Sequence, residues 1–318
     1  MFACFVDVSH VRFIPAVGVT AQWFYRHRGL ASGMTFTAGS VAGIVFPISM
    51  RKLFLSVGFP WTVRIVGFIW TASLVIGNLL IRARIQPKKF AGRVIDLSAL
   101  KDIRFALLGG GIFFSDWSLF GPITYITSYA LAQNIDPNLA YYVIAFLNIG
   151  SCLGRVIPGV LADRLGPYDF LKSRSDGFRF NVMLCCSSLT AIFAFGLWLP
   201  STNAAATIAY AIIFGFTSGG YISLMPVLVG RISELREFGT RYGTVMMFAS
   251  FAYLPFSLVV SDGYRSLTGV PIGGALVRDH NTDYTGLILW TGCTNVVATF
   301  FFILARWRVG GLSLFKFV

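Results

Sequence analysis

The sequence predicts an all-α, polytopic membrane protein, a bundle of transmembrane helices. Hydrophobic residues make up 56% of the 318 residues and charged residues only 12%, about half of the charged fraction of an ordinary soluble domain. The net charge of +13 comes from short basic clusters between apolar runs, so we expect no nucleic-acid partner. Neither the five cysteines nor the three histidines show a metal-ligand spacing, so no metal or cofactor is predicted.

Nine apolar runs account for most of the chain. A helix that spans a bilayer needs about 20 mainly apolar residues, and by that measure the first run is short. Backbone groups in lipid must be satisfied within the helix, and the alternating pattern of a β-barrel is absent from the sequence. The predicted helices are 11–25, 30–50, 61–81, 105–131, 139–161, 181–199, 205–229, 243–260 and 285–305.

Basic residues are distributed unevenly between the loops, which predicts an orientation. Most of the 26 Lys and Arg residues follow the first, third, fifth, seventh and ninth predicted helices. The positive-inside rule places those loops in the cytosol. We therefore expect an integral protein, of the plasma membrane, with its C-terminus in the cytosol. The longest basic connector, at 82–104, divides three predicted helices from six.

One arginine lies inside an otherwise uncharged predicted helix. Arg155 would cost several kcal/mol if it faced lipid, so we expect it to face protein, water or a ligand. Asn148 and Ser151 recur at helical spacing from Arg155, which predicts that the three side chains share one face. The alternative is that Arg155 extends toward the cytosolic side or pairs with Asp163.

A carboxylate also occurs in the middle of an apolar run. Asp116 follows Gly109-Gly110-Gly111 in the predicted helix at 105–131, where a charge is costly unless it is protonated or paired. It is a candidate proton carrier or counter-ion for Arg155, and the alternative is an incidental variant. Tyr125, on the same helix, is a candidate for the lining of a cavity, or else a core residue.

Several motifs together resemble those of a known protein family. The run Gly159-Val160-Leu161-Ala162-Asp163-Arg164-Leu165-Gly166 resembles the loop between the second and third helices of the C-terminal half of the major facilitator superfamily. Further motifs lie at Trp23 to Gly33, Ala38-Gly39-Ser40, Gly43, Phe46-Pro47, Leu139 to Tyr142, Gly154-Arg155, Pro158-Gly159 and Leu267 to Gly274. Together these motifs resemble those of fungal monocarboxylate-transporter-like proteins, and the resemblance extends over about residues 13–306.

The resemblance implies a partial major facilitator fold of about nine of twelve helices, the fourth to the twelfth. Residues 1–81 would be the remnant of an N-terminal bundle, 82–104 a cytosolic linker, and 105–318 a C-terminal six-helix bundle. Polar runs at 168–178 and 254–266 depart from the family pattern, one lengthening a loop and the other splitting a helix.

The resemblance also implies roles for individual residues. Arg155 would bind a substrate carboxylate, and Ser151 stands where animal members carry a proton-coupling aspartate. The loop would act in gating: its aspartate faces a neighbouring helix N-terminus and its arginine pairs across the gate. The alternative for this loop is a basic helix end that fixes topology. These gating residues are Gly159, Asp163, Arg164 and Gly166.

The predicted function is secondary transport of a small organic anion, a monocarboxylate first, by alternating access and with proton coupling as the expected drive. A carrier of riboflavin or of a fungal metabolite, and a truncated membrane protein that does not transport, are the alternatives. No hydrolase nucleophile motif or phosphate-binding loop occurs in the sequence, so we do not expect an enzyme.

Overall fold

The computed structural model describes residues 17–20, 23–24, 28–82, 96–164, 172–201, 203–233, 237–257 and 283–310. Every long element among them is a helix, which confirms the all-α prediction. We label the α-helices α1 to α7 in chain order. They are Arg28–Leu80, Ile103–Ala132, Pro137–Arg164, Lys172–Phe193, Ala204–Ile232, Phe238–Ser257 and Thr285–Gly310.

Helix α1 contains two of the predicted spans. The helix continues past the predicted end at 50 and is interrupted only at Gly58, whose φ of 74° and ψ of 170° are not helical. Glycine adopts this positive φ without the steric cost that a Cβ would add. The first limb is therefore 28–57 and the second 59–80. Phe46 and Trp70 form an edge-to-face pair with ring centroids 5.8 Å apart, which joins the two limbs.

Six of the helices are long and apolar enough to cross a membrane: α1, α2, α3, α5, α7 and the segment Arg179–Trp198 of α4 with its π-helical end. The predicted span at 243–260 is described up to Ser257 as α6, which is not among the six. Most of the predicted span at 11–25 lies outside the described residues, as does the part of the 254–266 run beyond Ser257.

The polar run at 168–178 is helical in its described part, residues 172–178. Helix α4 begins at Lys172, nine residues before the predicted start at 181. Residues 165–171 lie outside the described part of the chain. Charged and polar residues can extend a helix into water because the helical backbone satisfies its own hydrogen bonds there.

The end of the basic linker is ordered by contacts to α6. A short 3₁₀ helix, Leu97–Lys101, precedes α2, and Asp96 pairs with Arg241 at an N–O distance of 3.5 Å. The pKa of Asp96 lies below its ordinary value. The main cause is the hydrogen bond from the Ser98 hydroxyl, and the Ala99 N–H and Arg241 lower the pKa further, against the opposing effect of burial. The linker therefore ends in a fixed position against the bundle.

Close backbone contacts hold α3 against α5. A methyl group added at Gly154 would lie 1.9 Å from the carbonyl oxygen of Phe216, and one at Gly150 would lie 2.1 Å from that of Ile212. Helices in lipid associate through such small residues because apolar burial gives no advantage over lipid contact. Helix α7 packs against α2 and α4, and the first limb of α1 packs against α3 and α5.

Candidate functional site

The candidate residues are distributed along the interface between the first limb of α1 and α3, which we call the α1–α3 interface. The helices are antiparallel, and polar contacts recur at about seven-residue intervals on each of them. Glycines on α1 allow the close approach: a methyl group at Gly33 would lie 2.1 Å from the Arg155 carbonyl oxygen. A side chain of α3 at this interface therefore contacts the backbone of α1 directly.

Arg155 lies in the middle of the interface and is half-buried. Its Nη1 donates a hydrogen bond to the carbonyl oxygen of Phe36, and a methyl group at Gly39 would lie 3.1 Å from the same nitrogen. Its buried Nε has no hydrogen-bond partner among the described residues. No described carboxylate forms an ion pair with this guanidinium, so neither Asp163 nor Asp116 acts as its counter-ion in this structure.

Asn148 lies two helical turns from Arg155 and contacts the same limb of α1. Its Nδ2 donates to the carbonyl oxygens of Ile144, at 2.8 Å, and Gly43, at 3.3 Å. A methyl group at Gly43 would approach the Asn148 Oδ1 to 2.5 Å. Asn148 and Arg155 therefore both face α1, over glycines that leave room for their polar groups.

Ser151 differs from these two residues. It is 4% exposed, and a methyl group at Gly219 of α5 would lie 3.1 Å from its Oγ. The 100° rotation per helical residue places Ser151 to one side of the face that Asn148 and Arg155 share. The structure thus turns Ser151 toward α5, whereas its neighbour Cys152 is half-buried.

Ser40 is a polar residue of this interface that the sequence identified only as part of the Ala38-Gly39-Ser40 motif. It is fully buried, and its hydroxyl has no hydrogen-bond partner among the described residues. Two other hydroxyls of α1, those of Thr35 and Thr37, donate to the carbonyl four residues earlier. For Ser40 that carbonyl belongs to Phe36, which accepts from Arg155 instead.

Asp116 and Tyr125 lie elsewhere, on α2. Asp116 is 4% exposed and is an electrostatic neighbour of the buried Tyr242 of α6. Tyr125 is 7% exposed and lies near Tyr284 at the start of α7. The structure thus brings Asn148 and Arg155 together at the α1–α3 interface, whereas Asp116 and Tyr125 lie within the bundle of α2, α6 and α7.

The motif at 159–166 contributes to a buried junction of three helices through Asp163. Asp163 accepts hydrogen bonds from the backbone N–H groups of Gly29, at 3.0 Å, and Leu30, at 2.7 Å, at the start of α1. The partial positive charge of a helix N-terminus stabilises a carboxylate there. Arg179 of α4 completes the junction, 3.3 Å from Asp163 Oδ1, and both side chains are buried. The sequence had identified Arg179 only as one of the basic loop residues.

Gly159 is needed for that junction because the backbones of α1 and α3 touch there. A methyl group at Gly159 would lie 2.5 Å from the Gly29 carbonyl oxygen, and the reverse contact has the same length. Arg164 is the last residue of α3. The Arg164 side chain and Gly166 lie outside the described part of the chain, so their gating roles stay predictions.

Comparison with known proteins places these features in a family. The family model described as Major Facilitator Superfamily matches residues 9–257. The chain is 35% identical over 306 residues to MFS-type transporter 1 of Ophiocordyceps sp. (strain BCC 1869), covering 96% of this chain and 62% of that protein. It is 30% identical over 328 residues to the riboflavin transporter MCH5 of Saccharomyces cerevisiae, covering 95% of this chain and 58% of that protein.

A third relative, the agnestins efflux protein AgnL12 of Paecilomyces divaricatus, is 31% identical over 309 residues, covering 96% of this chain and 64% of that protein. The chain thus spans about three fifths of the length of these curated relatives. The match of the family model over most of the chain agrees with the helical architecture. The chain belongs to the Major Facilitator Superfamily.

Proposed function

We propose that the protein is a secondary transporter that moves a small organic anion, a monocarboxylate first, by alternating access. The observation that carries the proposal is the state of Arg155. Its guanidinium lies within a membrane-spanning helix, and its described hydrogen bond is to a backbone carbonyl, with no described carboxylate as partner. A charge at this depth is costly, so residues of this kind serve in substrate or ion pathways.

A carboxylate is the ligand that suits this group. A guanidinium holds a carboxylate through two parallel hydrogen bonds, and Arg155 has donors beyond the one that contacts Phe36. Asn148 adds an amide on the same face of α3. Because both side chains contact α1, the α1–α3 interface must open before an anion reaches them.

The Asp163 junction would control one side of that opening. Alternating access moves one bundle of helices against another around a central site. Asp163 belongs to α3 and binds the N-terminus of α1, so separation of these helix ends breaks its two hydrogen bonds. Arg179 keeps the carboxylate in place on the side of α3 and α4. We propose this end as the cytosolic one, with a cytosolic C-terminus and a location in the plasma membrane.

Proton coupling is part of the proposal through Asp116. It is a buried carboxylate within a membrane-spanning helix, and such residues serve as proton relays in transporters. Ser151 cannot carry a proton in this way, although it stands where the resemblance implies an aspartate. We therefore propose Asp116 as the proton carrier.

A second candidate substrate class is a larger metabolite, because two relatives are named as a riboflavin transporter and as an agnestins efflux protein. The two classes differ in what Arg155 does. A monocarboxylate depends on a bidentate contact with the guanidinium, whereas riboflavin carries no carboxylate.

Uptake into proteoliposomes that contain the 318-residue chain tests the proposal, with labelled lactate, pyruvate and riboflavin as probes. Arg155→Lys keeps the charge but loses the second parallel hydrogen bond, which for a charged group is worth about 1.5 kcal/mol or more. We expect it to weaken monocarboxylate uptake by about tenfold. Arg64→Lys is the matched control, since Arg64 lies over the Trp61 ring of its own helix.

The outcomes separate the candidates. Monocarboxylate uptake that Arg155→Lys lowers and Arg64→Lys does not supports the proposal. Riboflavin uptake alone favours the second candidate. Equal monocarboxylate uptake by the wild type and Arg155→Lys would show that Arg155 does not bind the substrate, and no uptake of any probe would favour a membrane protein that does not transport.

A further inference from the structure

A second connection between α1 and α3 lies at the end of the interface opposite to Asp163. Arg51 of α1 donates a hydrogen bond from Nη2 to Asn138 Oδ1 of α3 at 2.9 Å. The same guanidinium lies over the ring of Tyr141, 5.4 Å from the centroid. Asn138 and Tyr141 are three residues apart and so lie on one face of α3. One cation of α1 therefore contacts two side chains of α3.

The start of α3 is shaped to present Asn138. Asp136 precedes the helix, and its carboxylate accepts a hydrogen bond from the Asn138 N–H at 3.2 Å. Its backbone carbonyl accepts from the N–H of Ala140 at 2.9 Å. Because Asp136 caps the helix start, the Asn138 side chain is not needed as a cap, and its Oδ1 accepts the hydrogen bond from Arg51.

The position of this contact on α1 relates it to the Asp163 junction. Arg51 follows Gly29 by 22 residues, which corresponds to about 33 Å along a helix that rises about 1.5 Å per residue. The hydrocarbon core of a bilayer is about 30 Å thick. The two connections therefore lie at opposite membrane faces, with the Arg155 and Asn148 contacts between them.

We propose that Arg51, with Asn138 and Tyr141, forms a second gate contact that holds α1 and α3 together at the face opposite to Asp163. The inference rests on the proposed function, because a transporter must open its central site to each face in turn. Opening to one face breaks the Asp163 hydrogen bonds, and opening to the other breaks the Arg51 contacts.

The exposure of the two connections suits them to different tasks. Asp163 and Arg179 are buried, whereas the hydrogen bond between Arg51 and Asn138 is exposed. Loss of an exposed hydrogen bond leaves no buried polar group without a partner, so water can replace the contact when it breaks. The Arg51 contact is therefore easy to break and remake, as a gate requires.

The size of the effect follows from the two contacts. An exposed polar contact and a cation–π contact each change an equilibrium constant by about two- to fivefold. Loss of both should raise the ratio of open to closed states at that face by about tenfold. Loss of the hydrogen bond alone, in Asn138→Ala, or of the ring alone, in Tyr141→Ala, should each give a smaller share of it.

Spin-label distances on the full 318-residue chain in lipid nanodiscs test this inference without a substrate. One label pair reports the Arg51 end, at the exposed residues Leu55 and Tyr142, and another reports the Asp163 end, at the exposed residues Met34 and Leu161. We expect Arg51→Ala to increase the long-distance population of the first pair about tenfold. The second pair should shift toward its short distance, because the two faces open in alternation.

Two variants serve as matched controls. Lys52→Ala removes the neighbouring exposed cation, for which no contact with α3 is described, and Tyr141→Phe keeps the ring under Arg51. Both should give the wild-type distances. The inference is wrong if Arg51→Ala leaves the first pair unchanged, or if Lys52→Ala has the same effect as Arg51→Ala.

The same measurements keep the two proposals apart. If the labels report alternating opening while no probe enters proteoliposomes, the gate contact stands and the proposed transport function does not. If uptake proceeds while Arg51→Ala alters neither label pair, the transport function stands and the gate contact is refuted.

Discussion

Replacement of Asp163 by asparagine tests the three-helix junction at the 159–166 motif. Asparagine has the shape of aspartate, but it is neutral and has only one acceptor oxygen. The Asp163 carboxylate accepts from two backbone N–H groups of α1 and pairs with Arg179 at 3.3 Å. The variant can keep one of the two N–H bonds, while the other N–H and the buried guanidinium lose this carboxylate.

The expected loss of stability is large because the junction is buried away from water. The Asp163 and Arg179 side chains are only 3–4% exposed. Removal of one partner from a buried ion pair costs about 3–5 kcal/mol, and the total stability of a protein is about 5–15 kcal/mol. We therefore expect Asp163→Asn to lower the free energy of unfolding by about 3–5 kcal/mol.

Equilibrium unfolding of the chain in detergent micelles measures this loss. Asp283→Asn is the matched control, because Asp283 also accepts from a backbone N–H at a helix start, that of Thr285 at 2.9 Å, but is exposed. Asparagine and aspartate cap helices about equally well, so the control should lose less than about 0.5 kcal/mol.

A double-mutant cycle with Arg179→Gln then isolates the interaction. We expect a coupling energy of about 2 kcal/mol or more between Asp163 and Arg179, within the range for residues in one network. If Asp163→Asn costs no more than Asp283→Asn, the junction does not hold α1, α3 and α4 together, and the argument from buried charge fails.

Two further predictions concern packing and pH. Gly154→Ala should lower the free energy of unfolding by about 1–3 kcal/mol or more, because the added methyl group would lie 1.9 Å from the backbone of α5. Gly109→Ala is the control: a methyl group there has no atom within 4 Å, so this variant should be neutral or stabilising by up to about 1 kcal/mol. Equal losses of stability for the two variants in denaturant titrations would contradict the contact. Asp96 has a lowered pKa in the folded chain, so its contribution is present above the unfolded pKa of about 3.9 and is lost as the pH falls through the lower folded value. The stability difference between wild type and Asp96→Asn should therefore shrink below about pH 4, and a difference that grows there would reverse the sign of the argument.

Helix positions were largely predictable because membrane insertion imposes a local requirement. Each span must supply its own apolar length and its own backbone hydrogen bonds, and α2, α3, α5 and α7 begin within about three residues of their predicted starts. The continuation of α1 up to the break at Gly58 was not predicted. The sequence indicated a loop of ten residues between the spans at 30–50 and 61–81, whereas a single residue with positive φ separates the two limbs. The start of α4 was also missed, because a polar sequence outside the membrane carries no apolar signal.

The candidate site was predictable in part. Arg155 was evident because a charge in an apolar helix is rare and costly. Its partner, the carbonyl oxygen of Phe36, could not be inferred, since every residue has such an acceptor. Arg179 was missed for the opposite reason: among many basic residues at helix ends, burial beside Asp163 is what distinguishes it.

The amino-acid sequence by itself determined that the chain is a bundle of membrane-spanning helices, and which helices carry charge into the membrane. Both follow from local chemistry, because hydrophobic length and the cost of a buried charge can be assessed residue by residue. Only the tertiary structure decided that α1 lies against α3, with Gly29 on Asp163 and Arg51 on Asn138 and Tyr141. These partners are separated by about 90 to 130 residues, and contacts at such distances depend on which helix backbones can approach closely enough to meet.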